Sequence, residues 1–167
     1  KIALNYKVNV INRPKKLSRD KSPELDAWKH IIEQDKKYFN NNDVFISLPT
    51  TSPMRNFKDI DKGIKKFLNK RHDIIIGITP SNRNPYLNMV KKINNRVDVV
   101  IGKKNFYRRQ DVPKVYDITT FIYVTSKFYI RKCKKIMEGN IGYIEIPKER
   151  SIDIDDKLDL KIARSLI

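Results

Sequence analysis

Two compact apolar runs separated by one amphipathic helix constrain the fold more than any other feature of the sequence. Residues 44–48 (VFISL) and 73–79 (DIIIGIT) are almost wholly apolar, as in strands that are buried on both faces. Between them, residues 57–69 place their apolar side chains along one side, at the spacing of a helix that buries one face. This strand, helix, strand order predicts an α/β domain with a mostly parallel sheet and flanking helices.

Further helices and strands are predicted on either side of this unit. Ser22, Pro23 and Glu24 favour a helix start, with a capping hydroxyl, a proline at the first helical position and an acid in the first turn. The apolar spacing extends this helix to Phe39, before a turn at 40–43. Short strands are predicted at 8–11, 120–125 and 142–146, and helices from Ser126 to about Met137 and after Asp155 or Asp156.

Residues 85–117 depart from the α/β pattern. Short alternating stretches at 87–90 and 97–101, followed by the turn-like residues 102–105, predict an antiparallel ribbon and loop inserted into the frame. The sequence contains no internal repeat and no long linker. Residues 1–167 are therefore predicted to form a single domain that carries this insertion.

The charge of the chain limits its partners. Lysine and arginine number 36 against 19 acidic residues, which gives a formal net charge of +17. A nucleic-acid or anionic-membrane partner would fit this charge. The basic residues are scattered along the chain, however, which favours a lysine-rich composition as the cause of the charge. A positive field would also attract a nucleoside triphosphate and an acidic sugar.

No apolar run reaches the roughly 18 residues of a membrane span. The single Cys133 excludes an internal disulfide, so a cytoplasmic location is expected.

A hydroxyl-rich loop follows the first apolar run. Residues 48–55 (LPTTSPMR) stand at the carboxyl end of a predicted strand, where open α/β sheets bind their ligands. Thr51, Ser52 and Arg55 suit an anionic or sugar ligand at that position. Spacing alone favours a simpler interpretation, a Pro, Ser and Thr turn with a solvated arginine.

Two adjacent arginines mark a second candidate site. Arg108 and Arg109 place their guanidinium groups side by side, and arginine grips carboxylate or phosphate with two parallel donors. An exposed basic loop would account for the pair equally well. The residues themselves leave both interpretations open.

Asp153 and Asp155 stand two residues apart, just before a predicted helix. In extended backbone such residues point the same way, so their carboxylates could share one hard cation. Magnesium fits, because it takes few protein carboxylates and keeps positions for water and substrate phosphate. Spacing alone favours helix capping by acids, a role expected of Asp156 and Asp159 in either case.

Other catalytic chemistries are not indicated. His30 and His72 are isolated, with no metal-ligand partner three or four residues away. The sequence contains no Ser-His-Asp or Cys-His set, and no glycine-rich phosphate loop. The two candidate loops and the paired acids therefore remain as the groups that could carry chemistry.

Four segments, in order along the chain, together resemble the acylneuraminate cytidylyltransferases, which are the CMP-sialic acid synthetases. Residues 48–55 resemble the family's L-x-x-T-S-P-[apolar]-R loop, and residues 59–61 (DID) follow it as in the family's next helix. Residues 109–111 (RQD) resemble the family's R-Q-[DQ] sugar loop. Residues 151–155 (SIDID) resemble the closing S-[IV]-D-I-D motif, the most specific of the four.

The resemblance implies a nucleotide-diphospho-sugar transferase-like, Rossmann-like fold and a particular reaction. The anomeric hydroxyl of a nine-carbon α-keto acid sugar, sialic acid or a related acid, attacks the α-phosphate of CTP, and pyrophosphate leaves. Asp153 and Asp155 would be the catalytic carboxylates that hold Mg²⁺, which neutralises and orients the phosphates. Substrate-binding roles carry over to six residues: Arg109, Gln110, Tyr123, Thr51, Ser52 and Arg55.

The resemblance also implies a homodimer, with the ribbon at 85–117 as the dimerisation element, and no nucleic-acid or membrane partner. The family's opening loop, A-R-x-x-S-x-G-x-x-x-K-N, has no counterpart here, so an N-terminally truncated member is expected. Two alternatives stay open: a basic nucleic-acid-binding domain, and a catalytically inactive relative. Departures from the family pattern at Pro49, Leu87 and Thr119-Thr120 leave the identity of the sugar open.

Overall fold

The structure is a computed structural model that describes residues 2–6, 8–19, 21–34, 43–102 and 106–166. The helices are α1 (Glu24–Gln34), α2 (Phe57–Leu68), α3 (Lys127–Lys132) and α4 (Lys157–Ser165). The strands are β1 (Val44–Ser47), β2 (Ile74–Pro80), β3 (Val90–Ile93), β4 (Arg96–Val99), β5 (Tyr116–Ser126) and β6 (Ile141–Glu145). Short 3-10 turns lie at Ala3–Tyr6, Lys15–Leu17, Arg109–Asp111 and Lys148–Arg150.

A four-stranded sheet forms the centre of the α/β fold, in the strand order β1-β5-β2-β6. β1 runs antiparallel to β5, with Val44 opposite Ser126 and Ser47 opposite Tyr123. The sheet predicted to be mostly parallel therefore contains an antiparallel pair. The predicted α/β class, with a sheet and helices, is confirmed. None of the helices in the described part of the chain is long and apolar enough to cross a bilayer.

The described residues divide into two compact units, each built from three separated segments. The first unit draws on Lys1–Ser47, Ile64–Ile75 and Tyr123–Gly142. The second draws on Leu48–Gly63, Ile76–Ile122 and Tyr143–Ile167.

An aromatic cluster forms the core of the first unit. Trp28 of α1 is only 3% exposed, and its ring lies 5.4 Å from that of Phe45 and 5.3 Å from that of Tyr123. The amphipathic spacing of α1 buries this face, as the sequence predicts. The predicted strand at 8–11 is wrong, since these residues form neither helix nor strand and lie exposed. The predicted end of α1, at residues 35–43, falls largely outside the described residues.

The predicted helix after Ser126 is shorter than expected. Ser126 caps α3, because its hydroxyl oxygen accepts the Tyr129 N–H at 3.1 Å. The helix ends at Lys132 rather than near Met137. The chain turns there, because the Glu138 carboxylate accepts the N–H groups of Lys134 and Lys135.

Within the second unit, β2 packs closely against neighbouring side chains at Gly77. Gly77 has no room for a side chain, since a Cβ atom would lie 2.6 Å from Thr119 Oγ1. Phe121 and Ile146 bound the same space, and both are fully buried. Gly77 therefore allows β2 to pack against bulky neighbours.

In the described part of the insertion at 85–117, β3 and β4 form a short antiparallel hairpin. Its turn is the pair Asn94-Asn95, and Asn94 has a φ of 51°, a left-handed conformation that asparagine tolerates in tight hairpin turns. The sequence analysis did not identify Asn94-Asn95, and the turn-like residues 102–105 that it expected after the ribbon lie largely outside the described residues. A ribbon is thus present, over a narrower range than expected.

Candidate functional site

The loop at 48–55 is held against β5 by its polar side chains. Ser52 is 1% exposed, and its hydroxyl lies 2.7 Å from Thr120 Oγ1. Arg55 donates from Nε to the Phe121 carbonyl at 2.6 Å and from Nη2 to the carbonyls of Thr120 and Pro49. The alternative of a solvated arginine is therefore wrong. Arg55 fixes the backbone of the loop, and Ser52 anchors it from the buried side.

Burial and a nearby carboxylate act on Arg55 in opposite directions. Desolvation lowers the pKa of the guanidinium from its ordinary value, and the charge of Asp153 raises it. Arginine stays protonated throughout the physiological range. A fixed positive charge therefore faces the carboxylate of Asp153 from the loop.

The loop also contacts the closing motif through its backbone. Thr51 is exposed, but its carbonyl oxygen accepts the N–H of Ile154 at 2.9 Å. Ile154 lies between Asp153 and Asp155. The two motifs that the sequence analysis singled out, 48–55 and 151–155, are thus joined in the folded chain.

Helix capping is performed by Asp156 rather than by Asp153 or Asp155. The Asp156 carboxylate accepts the N–H groups of Leu158 and Asp159 at 2.6 and 3.0 Å, and the Asp159 carboxylate reaches back to the Asp156 N–H. This reciprocal arrangement is a capping box. It confirms the expected role of Asp156 and Asp159, and it leaves the side chains of Asp153 and Asp155 available for another purpose.

Asp153 carries a buried carboxylate oxygen without a hydrogen-bond donor. Its Oδ1 is buried and finds no partner among the described residues, whereas Asp155 is exposed. A buried carboxylate oxygen is normally paired, because leaving it unpaired costs free energy. The described residues contain no group of three or more His, Cys, Asp or Glu side chains arranged for a metal. A cation held here would therefore take these two carboxylates and complete its shell with water or phosphate.

A cavity of about 250 Å³ lies between the end of β2 and the start of β5. One wall is formed by residues 80–84, 87 and 88, and the other by Arg109 and residues 112–116. Among the described residues that line it, three are basic and none is acidic. The cavity is therefore suited to a small anionic ligand. Its polar lining consists of Ser81, Asn82, Arg83, Asn84, Asn88, Arg109, Lys114 and Tyr116.

Hydrogen bonds join the two walls of this cavity. The Ser81 N–H donates to the Val115 carbonyl at 3.1 Å, and the Asn84 side-chain amide donates to the Pro113 carbonyl at 3.0 Å. The sequence analysis did not identify residues 81–84. The signal was available, since they follow directly on a predicted buried strand, as the loop at 48–55 does.

The two neighbouring arginines have different surroundings. Arg108 forms a two-pronged ion pair with the Asp111 carboxylate at 2.9 and 3.2 Å. Arg109 lies on the 3-10 turn Arg109–Asp111 and lines the cavity, while Gln110 is exposed on the same turn. Arg109 is thus the member of the pair that is placed to meet a ligand.

Tyr123 belongs to the first unit, where its ring packs against Trp28. It is 8% exposed. A contact between Tyr123 and a substrate stays a prediction. The isolated histidines make local contacts, His30 with the Asn12 carbonyl and His72 with the Asn140 side chain.

No protein-family model matches the chain, but it is similar along its length to several known proteins. It is 30% identical over 169 residues to the post-translational flagellin modification protein B of Campylobacter coli, covering all of this chain and 72% of that protein. It is 30% identical over 168 residues to the CMP-N,N'-diacetyllegionaminic acid synthase of Campylobacter jejuni, covering 99% and 71%. The N-acylneuraminate cytidylyltransferase of Streptococcus agalactiae serotype V is 23% identical over 158 residues, which cover 95% of this chain and 37% of that protein.

Proposed function

Because the chain belongs to the acylneuraminate cytidylyltransferase family of enzymes, we propose that it transfers CMP from CTP to a nine-carbon α-keto acid sugar. A bond forms between the anomeric oxygen and the α-phosphorus, and the bond from this phosphorus to the oxygen of the β-phosphate breaks. Pyrophosphate leaves, and the hydroxyl proton is released. The observation that carries the proposal is the basic cavity beside Arg109, because such an acid presents a carboxylate and several hydroxyls to its binding site.

Charge and hydrogen-bonding groups in the cavity fit such a sugar. Arg83, Arg109 and Lys114 supply positive charge for the carboxylate, and arginine can grip it with two donors. Asn82 and Asn88 offer amide N–H donors to sugar hydroxyls, while their amide oxygens accept from Lys148 and from the Asn84 N–H. Arg109 is the residue to which we assign the carboxylate. Gln110 and Tyr123 are proposed to contact the remainder of the substrate.

Asp153 and Asp155 are proposed to hold Mg²⁺. The buried, unpaired Oδ1 of Asp153 supports the fit, since carboxylate oxygen is the ligand that magnesium prefers. The bound ion would neutralise charge on the phosphates of CTP. Arg55 supports the site from the loop, because its positive charge attracts the carboxylate of Asp153 while its donors are engaged by backbone carbonyls. Thr51 and Ser52 are proposed to form the base of the same site.

A homodimer through the β3–β4 hairpin is the proposed assembly. An isolated two-stranded hairpin is marginally stable, and this one exposes Val90 to 56% and Val97 to 60%. Covering those side chains with a second copy would stabilise the hairpin. The proposed compartment is the cytoplasm, where CTP is available.

The substrate test is product formation from matched sugars. The protein is incubated with CTP, Mg²⁺ and either legionaminic acid, N-acetylneuraminic acid or an aldose of similar size that lacks a carboxylate. We expect a CMP-sugar, detected by mass spectrometry, from at least one keto acid and none from the aldose. Equal product from the aldose would contradict the assignment of Arg109. Salt-sensitive DNA or RNA binding without CMP-sugar formation would favour the nucleic-acid alternative.

A further inference from the structure

The proposed function leaves one sequence motif unexplained, the two acids at 59–61 near the start of α2, of which Asp59 lies in the first turn. Asp59 is 9% exposed, so it lies too deep to meet a substrate at the surface. Its carboxylate Oδ2 accepts Nε of Arg150 at 2.9 Å, and Nη2 of Arg150 lies 2.8 Å from the same oxygen. These residues are 91 positions apart in the sequence. A partly buried ion pair of this kind demands a structural or functional reason, because both charges lose water.

Arg150 stands three residues before Asp153, at the end of the 3-10 turn Lys148–Arg150. Residues 151–155 form neither helix nor strand. Backbone outside helices and strands is positioned by its individual hydrogen bonds and ion pairs. The carboxylates of Asp153 and Asp155 therefore depend on contacts made by their neighbours.

Three anchors hold the segment, one on each side of the carboxylates and one between them. Upstream, Arg150 is held by Asp59 of α2. In the middle, the Ile154 N–H donates to the Thr51 carbonyl at 2.9 Å. Downstream, the Asp155 N–H donates to the Asp159 carboxylate of α4 at 3.1 Å. The upstream anchor is the only one of the three made by an ion pair between side chains.

We propose that Asp59 and Arg150 are positioning residues that set the separation of the Asp153 and Asp155 carboxylates for a divalent cation. This inference rests on the proposed metal site and adds two residues to it. Neither residue touches the cation. Their pair fixes the start of the irregular segment relative to α2, as outer contacts do around metal ligands generally.

Charge alone predicts the opposite result, which makes the proposal testable. Removing the positive charge of Arg150, three residues before Asp153 in the sequence, should strengthen cation binding by simple electrostatics. Loss of the anchor should weaken it, because the carboxylates are no longer held at one separation. Whether Arg150 substitution raises or lowers the affinity for the cation therefore distinguishes the loss of charge from the loss of the anchor.

The experiment measures Mn²⁺ binding to the 167-residue chain by electron paramagnetic resonance, with Mn²⁺ standing in for Mg²⁺. We expect Arg150→Gln and Asp59→Asn to weaken binding by about tenfold. Arg150→Lys, which keeps the charge but loses the two-donor geometry, should give an intermediate loss. Lys157→Gln removes an exposed charge beside Asp155 in sequence and should leave the affinity unchanged or slightly raised.

A destabilised variant separates positioning from stability. Gly77→Ala brings its Cβ against Thr119, Phe121 and Ile146, none of which is one of these anchors, so it should lower the unfolding temperature without changing Mn²⁺ affinity below that temperature. If Arg150→Gln and Arg150→Lys bind Mn²⁺ as the unaltered chain does, while Asp153→Asn does not, the positioning role is overturned and the metal site stands. If Asp153→Asn and Asp155→Asn also bind normally, both the positioning role and the metal assignment are overturned.

Discussion

The guanidinium of Arg55 lies 5.6 Å from the centre of the Phe121 ring, and its Nε donates to the Phe121 carbonyl at 2.6 Å. One side chain thereby ties the loop at 48–55 to the interior of β5 through both an aromatic face and the backbone. The same loop accepts the Ile154 N–H. Arg55 thus stabilises the backbone on which the closing motif rests.

We expect replacement of Arg55 to destabilise the fold. Arg55→Met removes the guanidinium donors to the carbonyls of Phe121 and Pro49, at a cost of about 2 kcal/mol or more in the free energy of unfolding. Arg131→Met, on the exposed side of α3, should cost less than about 0.5 kcal/mol. Urea unfolding followed by circular dichroism measures both. Equal stability of the two variants would show that the Arg55 contacts contribute nothing.

A second prediction concerns the tight approach at Gly77. Gly77→Ala places Cβ 2.6 Å from Thr119 Oγ1 and should cost about 1–3 kcal/mol through overpacking. Thr119 Oγ1 is buried without a partner among the described residues, so Thr119→Ala should recover most of that loss in the double variant. Gly102→Ala is the control, because its nearest contact would be an ordinary 3.7 Å. A double variant no more stable than Gly77→Ala would refute the contact.

The buried thiol gives a prediction about pH. Burial raises the pKa of Cys133 above its ordinary value, although Lys29 acts to lower it. Between the unfolded and folded pKa values the folded chain keeps a proton that the unfolded chain loses, so stability falls as the pH rises through this window. Alkylation by iodoacetamide at about pH 8 should be far slower in the folded chain than in urea. Cys133→Ala should remove that part of the pH dependence. Rapid alkylation of the folded chain would contradict the burial.

Local patterns predicted much of the fold. The apolar runs at 44–48 and 73–79 became β1 and β2, and the acids at Asp156 and Asp159 cap α4. These predictions succeed because apolar periodicity and helix capping depend on residues that are close in the sequence. The strand predicted at 8–11 failed, since a strand requires a partner that alternating apolar residues alone do not specify.

The candidate site was predictable only in part. Motif order predicts roles for Asp153, Asp155 and Arg109, but the contacts around the first two join distant parts of the chain. The pairing of Asp59 with Arg150 spans 91 residues, and no local pattern encodes it. The cavity wall at 81–84 was missed because no motif drew attention to it, although it follows a buried strand.

The cavity assignment predicts a selective loss of sugar binding. Arg109→Gln should weaken binding of the keto acid sugar by at least tenfold, since a two-donor contact with a carboxylate contributes about 1.5–3 kcal/mol. Binding of CTP should be unchanged. Arg131→Gln, on α3, is the matched control. Calorimetric titration measures the affinities, and unaltered sugar binding by Arg109→Gln would remove this residue from the site.

Metal-dependent release of pyrophosphate from CTP tests the central claim most directly. The protein is assayed with CTP, with and without Mg²⁺ and a keto acid sugar, beside its Asp155→Ala variant. We expect release only when CTP, sugar and metal are all present, and a loss of about a hundredfold or more in Asp155→Ala. Asp156→Ser, which keeps the helix cap, should retain turnover. Near-normal turnover by Asp155→Ala, or release without the sugar, would contradict the proposed site and reaction.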